Sequence, residues 1–130
     1  DELFQQHIEA QCKRLRILGF TGTPIIRGNL NAMDKSLLPS LQTVCTEILN
    51  NIAKHGKPGA FAFILSVGPD AVRIFASNLY NAAINSAPEN HYGTALIQDF
   101  AQQHNGTMTI NSENEEWSLS LAIPLTHQTH

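Results

Sequence analysis

Four residues near the middle of the chain have types and spacing that can do chemistry: Glu47, Asn51, Lys54 and His55. Steps of three and four place them on one side of a helix, where side chains three and four apart are neighbours. A carboxylate, a hard amide oxygen and a cation in that arrangement can meet a metal-bound polyphosphate. The same stretch, residues 41–55, carries Leu41, Val44, Cys45, Ile48, Leu49 and Ile52 at helical spacing. That is the apolar stripe of a helix packed on a core. The polar four flank the stripe, so its burial would fix where they point. Read alone, the pattern also fits a surface helix with scattered polar residues. The surrounding segments decide between the two.

The chain has 130 residues, enough for one domain with a sizeable core. It is 42% hydrophobic and 15% charged, which makes it globular and somewhat charge-poor. A net charge of -3 gives no electrostatic case for nucleic acid or for direct contact with an anionic membrane. No apolar run approaches the roughly 20 residues of a membrane span, and no stretch reads as a signal peptide. Cys12 and Cys45 sit inside helical patterns without metal-ligand spacing, so two buried free thiols in a reducing, cytoplasmic compartment are expected. The start at Asp1 rather than Met reads as a fragment of a longer chain.

Residues 2–18 place Phe4, Ile8, Cys12 (or Ala10), Leu15 and Leu18 at helical spacing ahead of Gly19. Residues 20–27 are rich in β-formers but contain Pro24, which suggests an edge strand. Residues 28–38 form a loop in which Asp34 or Ser36 can cap the central helix, with Pro39 early enough to be tolerated. Gly56-Lys57-Pro58-Gly59 stops that helix. Residues 60–67 are a buried strand, 68–70 a turn and 71–77 a second strand, a hairpin. Residues 78–92 show no periodicity, and a structureless segment of that length inside a compact domain is usually functional or mobile. Residues 93–104 read as a helix with Ala95, Leu96, Phe100 and Ala101 on one face. Residues 107–111 and 117–124 are the last two strands, joined by a polar loop over 112–116, and 125–130 is a frayed tail. The result is a single α/β domain with helices and hairpins in separate layers.

Glu47-x-x-x-Asn51-x-x-Lys54-His55 resembles the N box of the GHKL superfamily, in the version found in small sensor histidine kinases. The order of the later features matches that family's ATP-binding domain: a hairpin strand ending at Ser77-Asn78, a variable lid loop, a glycine at a helix start (Gly93), the Asn105-Gly106-Thr107 turn, and a last strand closing on Ala122-Ile123-Pro124. The resemblance covers essentially the whole chain, 1–130. It implies the Bergerat fold, an α+β two-layer sandwich whose mixed, mostly antiparallel sheet of about five strands carries about three helices on one face.

The resemblance also implies roles. Asn51 is similar to the Mg²⁺ ligand, its amide oxygen being a hard donor. Glu47 resembles the residue that polarises or positions the attacking group. Lys54 and His55 look like the pair facing the phosphates. Asn78 stands where an aspartate accepts a hydrogen bond from the adenine amino group, a bond an asparagine carbonyl can also accept without the charge. Gly93 and Thr94 open a helix whose backbone amides reach the polyphosphate.

The function so implied is the ATP-binding catalytic domain of a bacterial sensor histidine kinase. It would hold Mg·ATP for transfer to a histidine on a separate dimerisation and phosphoacceptor domain of the same parent kinase, and from there to a response regulator. The chain carries no such acceptor helix pair, so by itself it should not autophosphorylate. An anti-sigma or serine-kinase-like relative is the nearest alternative within the fold.

The sequence departs from the family pattern at two places. Where the family reads Asp-x-Gly-x-Gly, this chain reads Asn78-Leu79-Tyr80-Asn81-Ala82, and His91 replaces the first glycine of the later Gly-x-Gly. After Arg73 the chain contains no lysine or arginine. Triphosphate charge would therefore fall to Mg²⁺, Lys54, His55 and backbone amides, which implies weak binding with a strong dependence on Mg²⁺. The alternative that these departures favour is a degenerate GHKL domain acting as a protein-interaction module. The six histidines lack zinc-ligand spacing, Asn105-Gly106-Thr107 reads as a turn before it reads as a glycosylation sequon, and Trp117 reads as strand packing.

Overall fold

The computed structural model describes residues 2–80 and 94–125. The chain opens with α1 (Glu2–Ile17), whose Phe4, Ile8, Cys12 and Leu15 are buried. Leu18, expected on that face, lies past the helix end and is half exposed. Strand β1 (Pro24–Gly28) follows, with proline at its first position, where a missing N–H costs the ladder least. A single 3₁₀ turn (Leu30–Ala32) then leads into α2 (Leu37–His55).

The start of α2 is set by Asp34. Its Oδ1 accepts from the Ser36 N–H at 3.0 Å, and its carbonyl accepts from the Leu37 N–H at 2.9 Å. Ser36 occupies the cap position but makes no side-chain cap bond. Pro39 falls in the first turn, where helical N–H groups have no intrahelical acceptor. The expected stripe is buried along the full helix: Leu41, Val44, Cys45, Ile48, Leu49 and Ile52 are all at most 1% exposed. Each such aliphatic side chain contributes about 1.5–3 kcal/mol by leaving water, and Ile48→Ala would cost about 2–5 kcal/mol.

The sheet contains β2 (Gly56–Val67), β3 (Ala71–Tyr80), β4 (Thr107–Glu113) and β5 (Glu116–Pro124) with β1, in the order β1-β2-β3-β5-β4. Only β1 and β2 run parallel. Helix α3 (Ala95–Gln103) lies between β3 and β4 in sequence. Alternation sends Phe61, Phe63 and Leu65, Val72, Ile74 and Ala76, and Trp117, Leu119 and Leu121 to the helix side, where they form one core with α1, α2 and α3. The opposite face of the sheet has no helix on it among the described residues. The fold is thus the expected two-layer α/β sandwich, with β1 at an edge.

Several local expectations are corrected. Strand β2 begins at Gly56, not at 60, with an irregularity between Gly56 and Phe61. The Gly-Lys-Pro-Gly run ends the helix but does not delay the strand, because Gly56 pairs with Tyr80. Strand β3 runs through Asn78 to Tyr80 instead of stopping at 77. In α3 the buried residues are Ile97, Phe100 and Ala101, while Leu96 is 41% exposed. The last hairpin loop shrinks to Asn114-Glu115, both at positive φ (53° and 62°), a tight turn that suits the strand twist. Leu125 is tied down by its N–H, which donates to the Asp70 carbonyl at 2.7 Å. The rest of the expected tail, 126–130, and the part of the expected 78–92 loop beyond Tyr80 lie outside the described residues. Cys12 and Cys45 are buried free thiols.

Candidate functional site

The last turns of α2 bring Asn51, Lys54 and His55 to one end of the sandwich. Asn51 is 2% exposed, one of two buried polar residues in the described structure; the other is Asn78. Lys54 is exposed, while Glu47 and His55 are half-buried. Lys54 and His55 lie in the final helical turn, where positive charge complements the carbonyl end of the dipole.

Asn78 reaches the same place from the sheet. It pairs with Phe61 on β2 and Trp117 on β5, so its side chain points to the helix layer. Two strand positions on, Tyr80 pairs with Gly56, the residue that follows α2. Gly56 is so close that a Cβ there would strike Asn78 Nδ2 and the Ile52 carbonyl oxygen. Asn78 Nδ2 donates to the Leu79 carbonyl at 2.7 Å. Its Oδ1 is buried and has no hydrogen-bond partner among the described residues. The orientation of the amide follows from its chemistry, since only the NH₂ end can face a carbonyl. An unused buried acceptor costs roughly 1–3 kcal/mol, and a ligand that donates one N–H there recovers that cost.

Glu47 stands a turn before Asn51 at a different surface. It borders a concavity of about 280 Å³ between α1 and α2 with His7, Gln42, Thr43 and Thr46. His7 Nε2 and Thr46 Oγ1 lie 2.7 Å apart there and link the two helices. His7 was not singled out from sequence, because a lone histidine on an exposed helix flank carries no signal. Adjoining that concavity across Thr43, a groove of about 470 Å³ separates α2 from α3, bounded also by Ser40, Val44, Leu96, Asp99, Phe100 and Gln103. Ser40, Thr43, Glu47, Asn51 and Lys54 follow one another at steps of three and four, so one line of α2 joins both concavities to the buried amide.

Thr94 occupies the position before α3, and its carbonyl accepts from the Gln98 N–H at 2.8 Å. Gly93, expected beside it, lies outside the described residues. Structure therefore brings Asn51, His55 and Asn78 to one end, with Lys54 on its rim and Glu47 a turn away. Gly56 was missed as a site residue. In the sequence it is a helix stop, and its role as the surface against which Asn78 packs comes from strand pairing. His104 packs its ring against Phe100 at a centroid distance of 4.7 Å. Among the described residues no group of three or more His, Cys, Asp or Glu side chains could hold a metal.

No protein-family model matches the chain, and no curated protein is similar to it in sequence. Solved structures are similar. The catalytic domain of histidine kinase ThkA in a nucleotide-free form superposes with a TM-score of 0.71 at 12% identity, covering 97% of this chain and 94% of that one. The Acinetobacter baumannii histidine kinase AdeS gives a TM-score of 0.70 at 11% identity, covering 95% of this chain and 63% of that one. The Erythrobacter litoralis blue-light activated histidine kinase EL346 gives 0.65 at 12% identity, with 89% of this chain and 40% of that one. The chain thus has the fold of histidine-kinase catalytic domains and spans nearly all of one such domain, but a smaller part of the longer kinases.

Proposed function

We propose that this chain is the ATP-binding catalytic domain of a sensor histidine kinase, a phosphotransferase module of two-component signal transduction. The observation that carries the reading is the buried Oδ1 of Asn78, unpartnered among the described residues and set beside the end of α2 in a fold shared with such domains. An adenine amino group is a donor of the required kind. The donor set also suits Mg²⁺. Asn51 would supply one hard oxygen, the remainder coming from phosphates and water. The cation, when bound, neutralises phosphate charge. The chain's own residues do the positioning: Asn78 orients the base, Lys54 and His55 meet phosphate oxygens, the backbone at Gly93 and Thr94 approaches the polyphosphate, and Glu47 orients the acceptor side. Phosphoryl transfer relies mainly on such positioning and charge stabilisation.

The acceptor histidine would belong to a dimerisation domain of the same parent kinase, and a response regulator would take the phosphoryl group onward. The reading places this domain in the cytoplasm and leaves the parent kinase free to be membrane-anchored elsewhere in its chain. Among the described residues no helix is long and apolar enough to cross a membrane.

Calorimetric titration with Mg·ATP tests the reading. Binding should fall tenfold or more, about 1.4 kcal/mol, in Asn51→Ala and in Asn78→Ala, and should vanish with EDTA. A folded protein that takes up no ATP at millimolar concentration would remove the kinase reading. A second reading, a degenerate GHKL module that binds protein instead of nucleotide, is favoured by one specific feature. Where the family motif has glycine, this chain continues β3 as far as the buried Tyr80, paired with Gly56.

A further inference from the structure

The face of the sheet turned away from the helices is not flat. Along β5 its residues are small: Ser118, Ser120 and Ala122. They form the floor of a trough between β3 and β4. Two concavities follow one another along it. One of about 390 Å³ lies beside Arg73 and Phe75, and one of about 560 Å³ lies beside Leu79, Glu113 and Glu116. The register confirms the order, since Arg73 pairs with Ala122 at one end, and Leu79 with Glu116 and Glu116 with Glu113 at the other.

The trough therefore has a cationic end, an acidic end and an apolar wall between them. Phe75 is 39% and Leu79 36% exposed on that wall. At the cationic end Arg27 lies on the same face as Arg73, one strand beyond Ser66. Among the described residues neither arginine has an ion-pair partner. In a chain of net charge -3, two uncompensated arginines on one face are a local exception.

We infer that this trough docks a single amphipathic helix of a partner protein, with the helix's basic first turn over Glu113 and Glu116 and its acidic last turn over Arg73. The dimensions fit. From β3 to β4 is two strand spacings centre to centre, about 10 Å, so a helix about 10–12 Å across rests on both walls with one ridge of side chains over the small residues of β5. From Arg73 to Leu79 is about 20 Å of strand, the length of a helix of about 13 residues. The orientation is fixed twice over, because a helix's own dipole places its positive end at the acidic rim and its negative end at the arginine. A contact confined to this trough is small beside the roughly 800 Å² per partner of a stable complex. That argues for a transient contact with one helix and against a stable dimer of this chain through the same face. The trough lies on the opposite side of the sheet from Asn51 and Asn78, so this docking stands or falls independently of nucleotide binding.

The test uses the whole 130-residue chain and two fluorescein-labelled, lactam-stapled 14-residue helical peptides. One carries lysines in its first turn, a leucine stripe and glutamates in its last turn; its twin has the charged ends exchanged. Fluorescence anisotropy should show the first peptide binding at least tenfold more tightly than the twin. Amide shift changes should map to the open face of β3, β5 and β4. Arg73→Glu should reverse the preference, and Ser120→Trp, which fills the exposed floor, should abolish binding of both while circular dichroism stays unchanged. Equal affinity for the twins, no binding at about 1 mM peptide, or shifts confined to the helix side would overturn the inference. So would a concentration-dependent dimer that Phe75→Arg dissolves, since the occupant would then be a second copy.

Discussion

Gly56 and Asn78 are packed against each other so closely that the absence of a side chain on one sets the position of the other. Gly56 is not held in a glycine-only conformation: its φ is -77° and its ψ 163°, open to any residue. Its requirement is space, because a Cβ would strike Asn78 Nδ2 and the Ile52 carbonyl. The end of the central helix and the buried amide of the sheet are thus one structural unit.

Gly56→Ala should therefore act at a distance from any ligand contact of its own. Pushing the Asn78 amide aside costs about 1–3 kcal/mol, as other overpacked sites do, and turns Oδ1 from its present direction. Urea unfolding would show the stability loss, and ATP titration a parallel loss of affinity. An alanine variant with unchanged stability would mean that the neighbours yield freely and the unit is loose.

Asn78→Asp restores the residue type of the family motif, yet it should destabilise the ligand-free protein. Aspartate cannot donate to the Leu79 carbonyl as Nδ2 does at 2.7 Å. It would instead set two oxygens against each other in a buried place, at about 1–3 kcal/mol. Chemical denaturation at neutral pH should find the variant weaker than wild type. Equal or greater stability would show that the carbonyl is satisfied in another way.

The Asp34 carboxyl is held below its ordinary value of 3.8, chiefly by the hydrogen bond from the Ser36 backbone N–H. A depressed carboxyl contributes stability above its ordinary value and loses it as pH falls through the depressed one. Melting temperature followed from roughly pH 5 down to pH 2.5 should fall less steeply in Asp34→Ala than in wild type. The group is fully exposed, so the difference should be small, and matching slopes would mean that solvent screens it away.

Burial pushes the Cys12 thiol up to about 11 and the Cys45 thiol further in the same direction. Both should be protonated and unreactive in the native protein at about pH 8. A thiol reagent should label neither quickly, and then label both at the rate of unfolding once denaturant is added. Rapid native labelling of Cys45 would show that α1 lifts from α2 without global unfolding.

The features legible from the amino-acid order lie mostly in local periodicity. The apolar stripe from Leu41 to Ile52 is readable because burial on one side of a helix repeats every 3.6 residues, whatever it packs against. The same repeat placed Glu47, Asn51, Lys54 and His55 on the flank, and a proline marked β1 as an edge. Where elements end and which faces they bury depended on long-range packing. Asn78-Leu79-Tyr80 resembles the start of a loop, yet β3 continues through it because Trp117 on β5 and Gly56 on β2 supply its pairing partners. Leu96 and Ile97 are equally apolar, and the way α3 lies on the core chose Ile97 for burial. Likewise the stretch that stops α2 gave no sign of carrying a strand. Strand pairing and helix seating are contacts between residues far apart in the chain, and the side chains of either partner alone do not encode the distance between them.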